Sequence, residues 1–218
     1  RPPRSTLFPY TTLFRSTDKD MIYDNGKTVM LGAGHRTYRI IARSESADFE
    51  NFPAPENILE PHPEEVEDYF QGEGCKRGLD FYNSSAIKYP FAPETYLMFP
   101  SYFNHEADNV EIHLATSRDG VNYSRHDQPL IGLSELGDFH ARQLYMGVGM
   151  VADGNRIHMY ILAGDVGHDE EDLSRRGRKA VARVSFRRDG FIGQHAQNEG
   201  EYITIPLQIG RASCRERV

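Results

Sequence analysis

The chain of 218 residues contains no tryptophan, two cysteines and no apolar run long enough to span a bilayer as a helix. A helical membrane span needs about 20 consecutive apolar residues, so a helical anchor is excluded within it. Only Cys75 lies between residues 17 and 208, which rules out a disulfide or a cysteine zinc cluster in that region. Without tryptophan, stacking against a ligand ring falls to tyrosine and phenylalanine. Long amphipathic helices are missing as well; the stretch from Pro63 to Phe70 offers a turn or two of helix at most.

The ends are set aside because of their codons. Thr6 to Ser16 reads TLFPYTTLFRS, which is, letter for letter, the translation of a standard short-read sequencing adapter. Arg1 to Ser5 translates the stretch just upstream, and Ile209 to Val218 translates the reverse complement. Residues 1–16 and 209–218 are therefore expected to be adapter that packs against nothing specific, and residues 17–208 to be a fragment of a longer protein. A signal peptide would lie upstream, so the compartment stays open, secretion or a periplasmic location included. Without the six arginines and one glutamate of the ends, 19 cationic side chains face 31 anionic ones, a balance of −12. A phosphate backbone repels such a surface, which argues against nucleic acid as a partner.

What is present is repetition. Three segments share one grammar of an alternating strand, a serine and an aspartate turn: Tyr38 to Phe49, Glu111 to Val121 and Ala180 to Phe191. Their turn aspartates, Asp48, Asp119 and Asp189, are 71 and 70 residues apart. The last two are followed by Gly120 and Gly190, and Asp-Gly between apolar runs is a strong hairpin signal. A second hairpin precedes each: Met21 to Leu31 turning at Asn25-Gly26, Ala86–Tyr89 with Tyr96–Phe99, and Leu144–Val151 with Ile157–Leu162. Each repeat thus holds about four antiparallel strands, A to D, with units near 17–60, 80–130 and 140–200. The fold class expected is all-β, a partial β-propeller of about three blades out of five. A β-sandwich is the rival; it does not require three copies of one hairpin grammar.

Asp80-Phe81-Tyr82-Asn83, Ala86 to Pro90, Tyr96 to Ser101, His105 and Leu114 to Gly120 together resemble the five-bladed propeller glycoside hydrolases. They are most similar to an uncharacterised bacterial branch grouped with families 32, 43, 62 and 68. The resemblance runs over most of residues 36–207 and includes Gln143 to Gly147 and Arg188 to Phe191. It implies a carbohydrate substrate and cleavage of O-glycosyl bonds, with no cofactor. None of the short acidic motifs that open blades in families 32 and 43 is matched cleanly.

In a propeller the B to C loops and the links from D to the next A share one face. There the sequence collects Gly34-His35-Arg36, Tyr102 to His105 and Asp165 to His168, and before strand A, Asp80 to Asn83 and Asp138 to Gln143. Glycoside hydrolysis uses two carboxyl groups astride the scissile bond, and Asp80 and Asp138 are the catalytic candidates. Tyr82, Asn83, Tyr102, Asn104, His105, His140, Arg142, Tyr145, Asp165 and His168 are the substrate-binding candidates, with Phe103 a further stacking surface. The plainer readings are a turn or capping role for either aspartate and a loop-carbonyl bond for each of His35, His105 and His168. No metal is assigned, since metal-ligand spacing across units is not legible in sequence. Asp48, Asp119 and Asp189 fall on the opposite face as turn formers, and the acidic stretch Glu56 to Glu73 reads as a solvated outer loop. Three alternatives stay open: a phosphorylase of the same shape, with His140 and Arg142 or His35 and Arg36 as phosphate ligands; a non-catalytic sugar-binding propeller; and a partner-binding one.

Overall fold

In unit two, alternating Tyr96 to Asn104 builds strand B in two pieces because Pro100 has no N–H to give the ladder. The computed structural model describes residues 11–13, 29–31, 34–36, 39–46, 48, 50–67, 79–168, 170, 177–193, 195–201 and 203. Strands β1 (Thr11–Leu13), β2 (Val29–Leu31), β3 (Gly34–Arg36), β4 (Ile40–Arg43) and β5 (Glu56–Leu59) precede a short helix α1 (Pro63–Glu67). Unit two comprises β6 (Leu79–Phe81), β7 (Ile87–Lys88), β8 (Tyr96–Met98), β9 (Ser101–Asn104), β10 (Asn109–Ile112), β11 (Ala115–Ser117) and β12 (Ser124–Arg125). Unit three has β13 (Gln143–Met146), β14 (Val151–Asp153), β15 (Arg156–Gly164) and β16 (Lys179–Arg187).

The break at Pro100 propagates sideways. Strand A is interrupted between β6 and β7, and strand C at His113-Leu114, where the His113 amide donates to the Pro100 carbonyl at 3.0 Å. One half of unit two is a four-stranded meander, β7-β8-β11-β12, which is the expected A-B-C-D order. The other half, β6-β9-β10, joins unit three through β13, β15 and β14, with β16 on the far edge of β15. The β10–β13 junction is parallel and rests on one pair, Val110 with Gln143. The architecture is all-β with almost no helix, and its sheets are open. No helix among the described residues is long and apolar enough to cross a membrane.

Alternation decides what each unit buries. Met98 and Ala115 turn toward Ile41, Ile58, Leu59 and Phe81, a cluster joining units one and two. Leu97, Phe99, Ile112 and Leu114 turn the other way, onto Leu144, Met146, Ile157, Met159, Ile161 and Ala163 of unit three. Each large apolar side chain buried in this way contributes roughly 1.5–3 kcal/mol.

The turns behave alike at two of the three aspartates. Ser46 Oγ donates to Asp48 Oδ1 at 2.8 Å, and Asp48 accepts from the Glu50 and Asn51 amides and from Asn51 Nδ2. Asp119 repeats this bond for bond with Ser117, Val121 and Asn122. Hydrogen bonds from Asn51 hold the Asp48 carboxyl far below its usual range, and hydrogen bonds from Asn122 do the same for Asp119. Gly120 follows at φ +76, with the Tyr96 ring 3.1 Å from where a β-carbon would stand. The third turn differs: Asp189, at φ 57, accepts from Tyr89 Oη at 2.6 Å.

Three expectations are corrected. No strand D follows Asp189 among the described residues, because Phe191 instead packs on Tyr89, Phe99 and Phe186. Thr11–Leu13 of the adapter-like segment do pair, antiparallel with Ile40–Ala42 of β4. A strand edge offers free N–H and C=O groups to any extended segment, so such pairing requires no evolved complementarity. The acidic stretch is not all solvated, since Glu65 turns inward to Tyr102 and Arg125. The hairpin expected at Asn25-Gly26 lies outside the described residues; Val29–Leu31 pairs with Gly34–Arg36.

Candidate active site

Asp80 sits mid-strand in β6 and is 1% exposed, with its side chain on the opposite side of the strand from Phe81. Its Oδ2 accepts from Arg39 Nη1 at 2.9 Å and lies 3.2 Å from His105 Nε2. Its Oδ1 is buried without a hydrogen-bond partner among the described residues. A carboxyl group held between an arginine and a histidine is placed to stabilise positive charge developing beside it.

Beside it stands a ring of aromatics. Tyr82 lies edge-on to Phe103 at 5.4 Å, to Tyr145 at 6.3 Å and to His168 at 4.5 Å between centroids. The Arg39 guanidinium carbon is 4.2 Å from the Tyr82 ring centroid, a cation–π contact. His168 bonds Tyr82 Oη through Nε2 and Tyr145 Oη through Nδ1, the latter at 3.0 Å. Phe103 contacts His105 at 4.2 Å and His168 at 4.9 Å, so it joins the two histidines. Asn83 donates to the Met146 carbonyl at 3.1 Å, tying the end of β6 to unit three. Of the expected residues, Asp80, Tyr82, Asn83, Phe103, His105, Tyr145 and His168 are thus brought together.

The others are not. Tyr102 occupies the opposite face of β9, as the two-residue period of a strand dictates. There its hydroxyl donates to Glu65 Oε1 at 2.7 Å, and its ring packs 4.3 Å from His113 and 4.9 Å from the Arg125 guanidinium carbon. Arg125 pairs with Glu65. Burial opposes ionisation of Glu65, but bonds from Tyr102, the His62 amide and Arg125 outweigh it and hold its pKa below the ordinary value. Burial and the Glu65 bond push the Tyr102 phenol up. Desolvation lowers His113 to about 4, partly offset by its bond to the His126 carbonyl.

Asn104 is a turn former, accepting from the Glu106 and Ala107 amides at 3.0 Å. Asp138 is exposed in the loop between β12 and β13, and no hydrogen bond or ion pair among the described residues joins its carboxylate to the Asp80 group. His140 packs on Phe139 at 4.7 Å, with Nδ1 buried and unpartnered among the described residues. Arg142 donates to the Ala107 carbonyl at 3.2 Å. Asp165 pairs with Arg178 at 2.9 Å, which lowers its pKa. The side chains of His35 and Arg36 lie outside the described residues. Among the described residues, no group of three or more His, Cys, Asp and Glu could hold a metal ion.

Sequence reasoning missed Arg39, Gln143, Glu65, His113 and Arg125. The arginines and Glu65 carried no signal that separates a buried charge from a solvated one. Gln143 opens β13, but nothing in the sequence marks its amide as an anchor.

No family model and no curated protein matches the chain. Among solved structures it is similar to one described as a glycoside hydrolase, at 15% identity and a TM-score of 0.40, covering 67% of this chain and 35% of that one. It is also similar to a structure described as a BT0996 RGII complex, at 16% identity and a TM-score of 0.39, covering 70% and 36%. The chain spans about a third of the length of either.

Proposed function

We propose that residues 17–208 are part of a β-propeller of a carbohydrate-active protein, a glycoside hydrolase whose site is centred on Asp80. One observation carries the reading: a buried, ion-paired carboxylate sits beside partly buried Tyr82, Tyr145, His105 and His168, four of the expected substrate-binding residues. The meander of unit two, the two matching aspartate turns and the apolar clusters between consecutive units support the propeller. Likenesses at TM-scores of 0.40 and 0.39 add no argument.

A second reading, sugar binding without catalysis, is favoured by one fact. Hydrolysis calls for a second carboxyl group, and Asp138 is not joined to the Asp80 group among the described residues. Turnover of a panel of aryl glycosides by the full-length protein, with and without inorganic phosphate, separates hydrolase, phosphorylase and binder. In a hydrolase, Asp80→Asn keeps the shape and slows turnover by ~10² to 10⁴. Turnover within a few-fold of the parent would remove Asp80 from catalysis.

A further inference from the structure

The hydrogen bonds around Tyr82 run in an order that fixes the direction of each proton. Gln143 Nε2 donates to the Val166 carbonyl at 2.7 Å and to the Gly167 carbonyl at 2.8 Å. Both amide hydrogens are thereby used, and Gln143 Oε1 faces Tyr145 Oη at 3.3 Å. An amide oxygen only accepts, so Tyr145 donates to it. A phenol has one proton, so the 3.0 Å contact between Tyr145 Oη and His168 Nδ1 is a donation from Nδ1–H. A neutral imidazole protonated on Nδ1 has a bare Nε2, and Nε2 is the atom bonded to Tyr82 Oη.

We propose that Tyr82 and His168 form a proton-transfer pair acting on a ligand hydroxyl or water at the Asp80 site, with Gln143 and Tyr145 as positioning residues that set the His168 tautomer. The proposal rests on the carbohydrate reading above. A bound water gives its proton to Tyr82 Oη as the Tyr82 proton passes to His168 Nε2. The oxygen left behind bonds to the anomeric carbon as the glycosidic C–O bond breaks. The proton then returns from the imidazolium through Tyr82, or through solvent, to the departing oxygen, so charge and atoms balance with water as the one co-reactant. The Arg39 guanidinium over the Tyr82 ring holds that ring in place beside Asp80.

The test is the His168 tautomer, read by long-range proton–nitrogen correlation on the whole chain labelled with ¹⁵N-histidine and assigned with His168→Asn. Nδ1–H with a bare Nε2 is expected, and Nε2–H would overturn the assignment. Gln143→Leu, or Tyr145→Phe if the first does not fold, should lose the preference for Nδ1–H; an unchanged tautomer in the folded variant overturns the positioning role. Tyr82→Phe should keep the tautomer and slow glycoside turnover about 10²-fold, and undiminished turnover overturns the proton transfer. Because the tautomer needs no substrate, an Nδ1–H signal in a protein that cleaves no glycoside sinks the functional reading alone.

Discussion

The two faces of β9 carry polar clusters of similar size and opposite character. On the Tyr102 face, Glu65 and Arg125 form an ion pair whose side chains are 14% and 2% exposed, capped by Tyr102 and His113. On the Phe103 face, Asp80 is just as buried, and its neighbours Tyr82, His105, Tyr145 and His168 are partly buried, as Glu65 and Tyr102 are. Unpartnered buried atoms do not tell the faces apart: among the described residues, His113 Nε2 and Arg125 Nε lie on one, Asp80 Oδ1 and Asn83 Oδ1 on the other. Composition does. The Tyr102 network is built on the Glu65–Arg125 ion pair and pins α1 to β9 and β12, so it reads as structure. The Phe103 network sets Asp80 beside hydroxyls and ring nitrogens able to pass a proton.

The sharpest way to break this contrast is Glu65→Ala. Removing one partner leaves the Arg125 charge buried and unpaired, a change that costs about 3 kcal/mol or more. Denaturant unfolding should show that loss, while the His168 tautomer stays as in the parent. A loss below about 0.5 kcal/mol would mean the pair is solvated and the face is not structural.

Next in size is a pH effect on the same face. Unfolded His113 takes a proton near the ordinary 6.5 and the folded one near 4, since burial, with Arg125 adding to it, opposes the charge. Between those values the unfolded chain holds more protons, so acidification from 6.5 towards 4 should destabilise the fold by on the order of 2 kcal/mol. Unfolding midpoints across that window, compared with those of His113→Gln, isolate the contribution. An equally steep slope in the variant would assign it to other groups.

Local patterns made part of this legible. Alternation and Asp-Gly gave the hairpins of unit two, and the Ser-x-Asp spacing at Asp48 and Asp119 foretold two turns that match bond for bond. The same grammar misled at Asp189, where Arg187 stands two residues before the aspartate and Tyr89 supplies the hydroxyl instead. Asp80, Tyr82, His105 and His168 were singled out because the repeat puts them at strand starts and loops of one face, although Asp80 stands mid-strand in β6. Tyr102 was misplaced by treating Tyr102 and Phe103 as one surface, when consecutive strand residues point apart. Arg39 was invisible, and Gln143, placed with the loop before strand A, was given no role, because their roles depend on partners 41 and 23 residues away.

A smaller change tests the Phe103 face alone. A β-carbon at Gly167 would overlap the Asp108 carboxylate, so Gly167→Ala must displace either Asp108 or the backbone next to His168. Overpacking of this kind costs about 1.5 kcal/mol. The displacement should weaken the Gln143 bond to the Gly167 carbonyl and loosen the His168 tautomer, with the His113-dependent pH slope unchanged. A change in that slope would show that the two faces are coupled through β9.

The finest comparison removes one oxygen from each face. Tyr102→Phe deletes the hydroxyl that donates to Glu65 at 2.7 Å, and Glu65 keeps Arg125, so the loss is that of a single hydrogen bond to a charged group, about 1.5 kcal/mol. Tyr82→Phe deletes a hydroxyl bonded to His168, where water can take its place because both rings are partly exposed; about 0.5 kcal/mol is expected. Stability therefore ranks Tyr102 above Tyr82, and glycoside turnover should rank them the other way, with Tyr102→Phe at parent rates. The crossed ranking is the discriminating result, because a purely structural role for both faces predicts that activity falls in step with stability. If Tyr102→Phe slows turnover as much as Tyr82→Phe, the distinction between the two networks fails and the site extends across the strand.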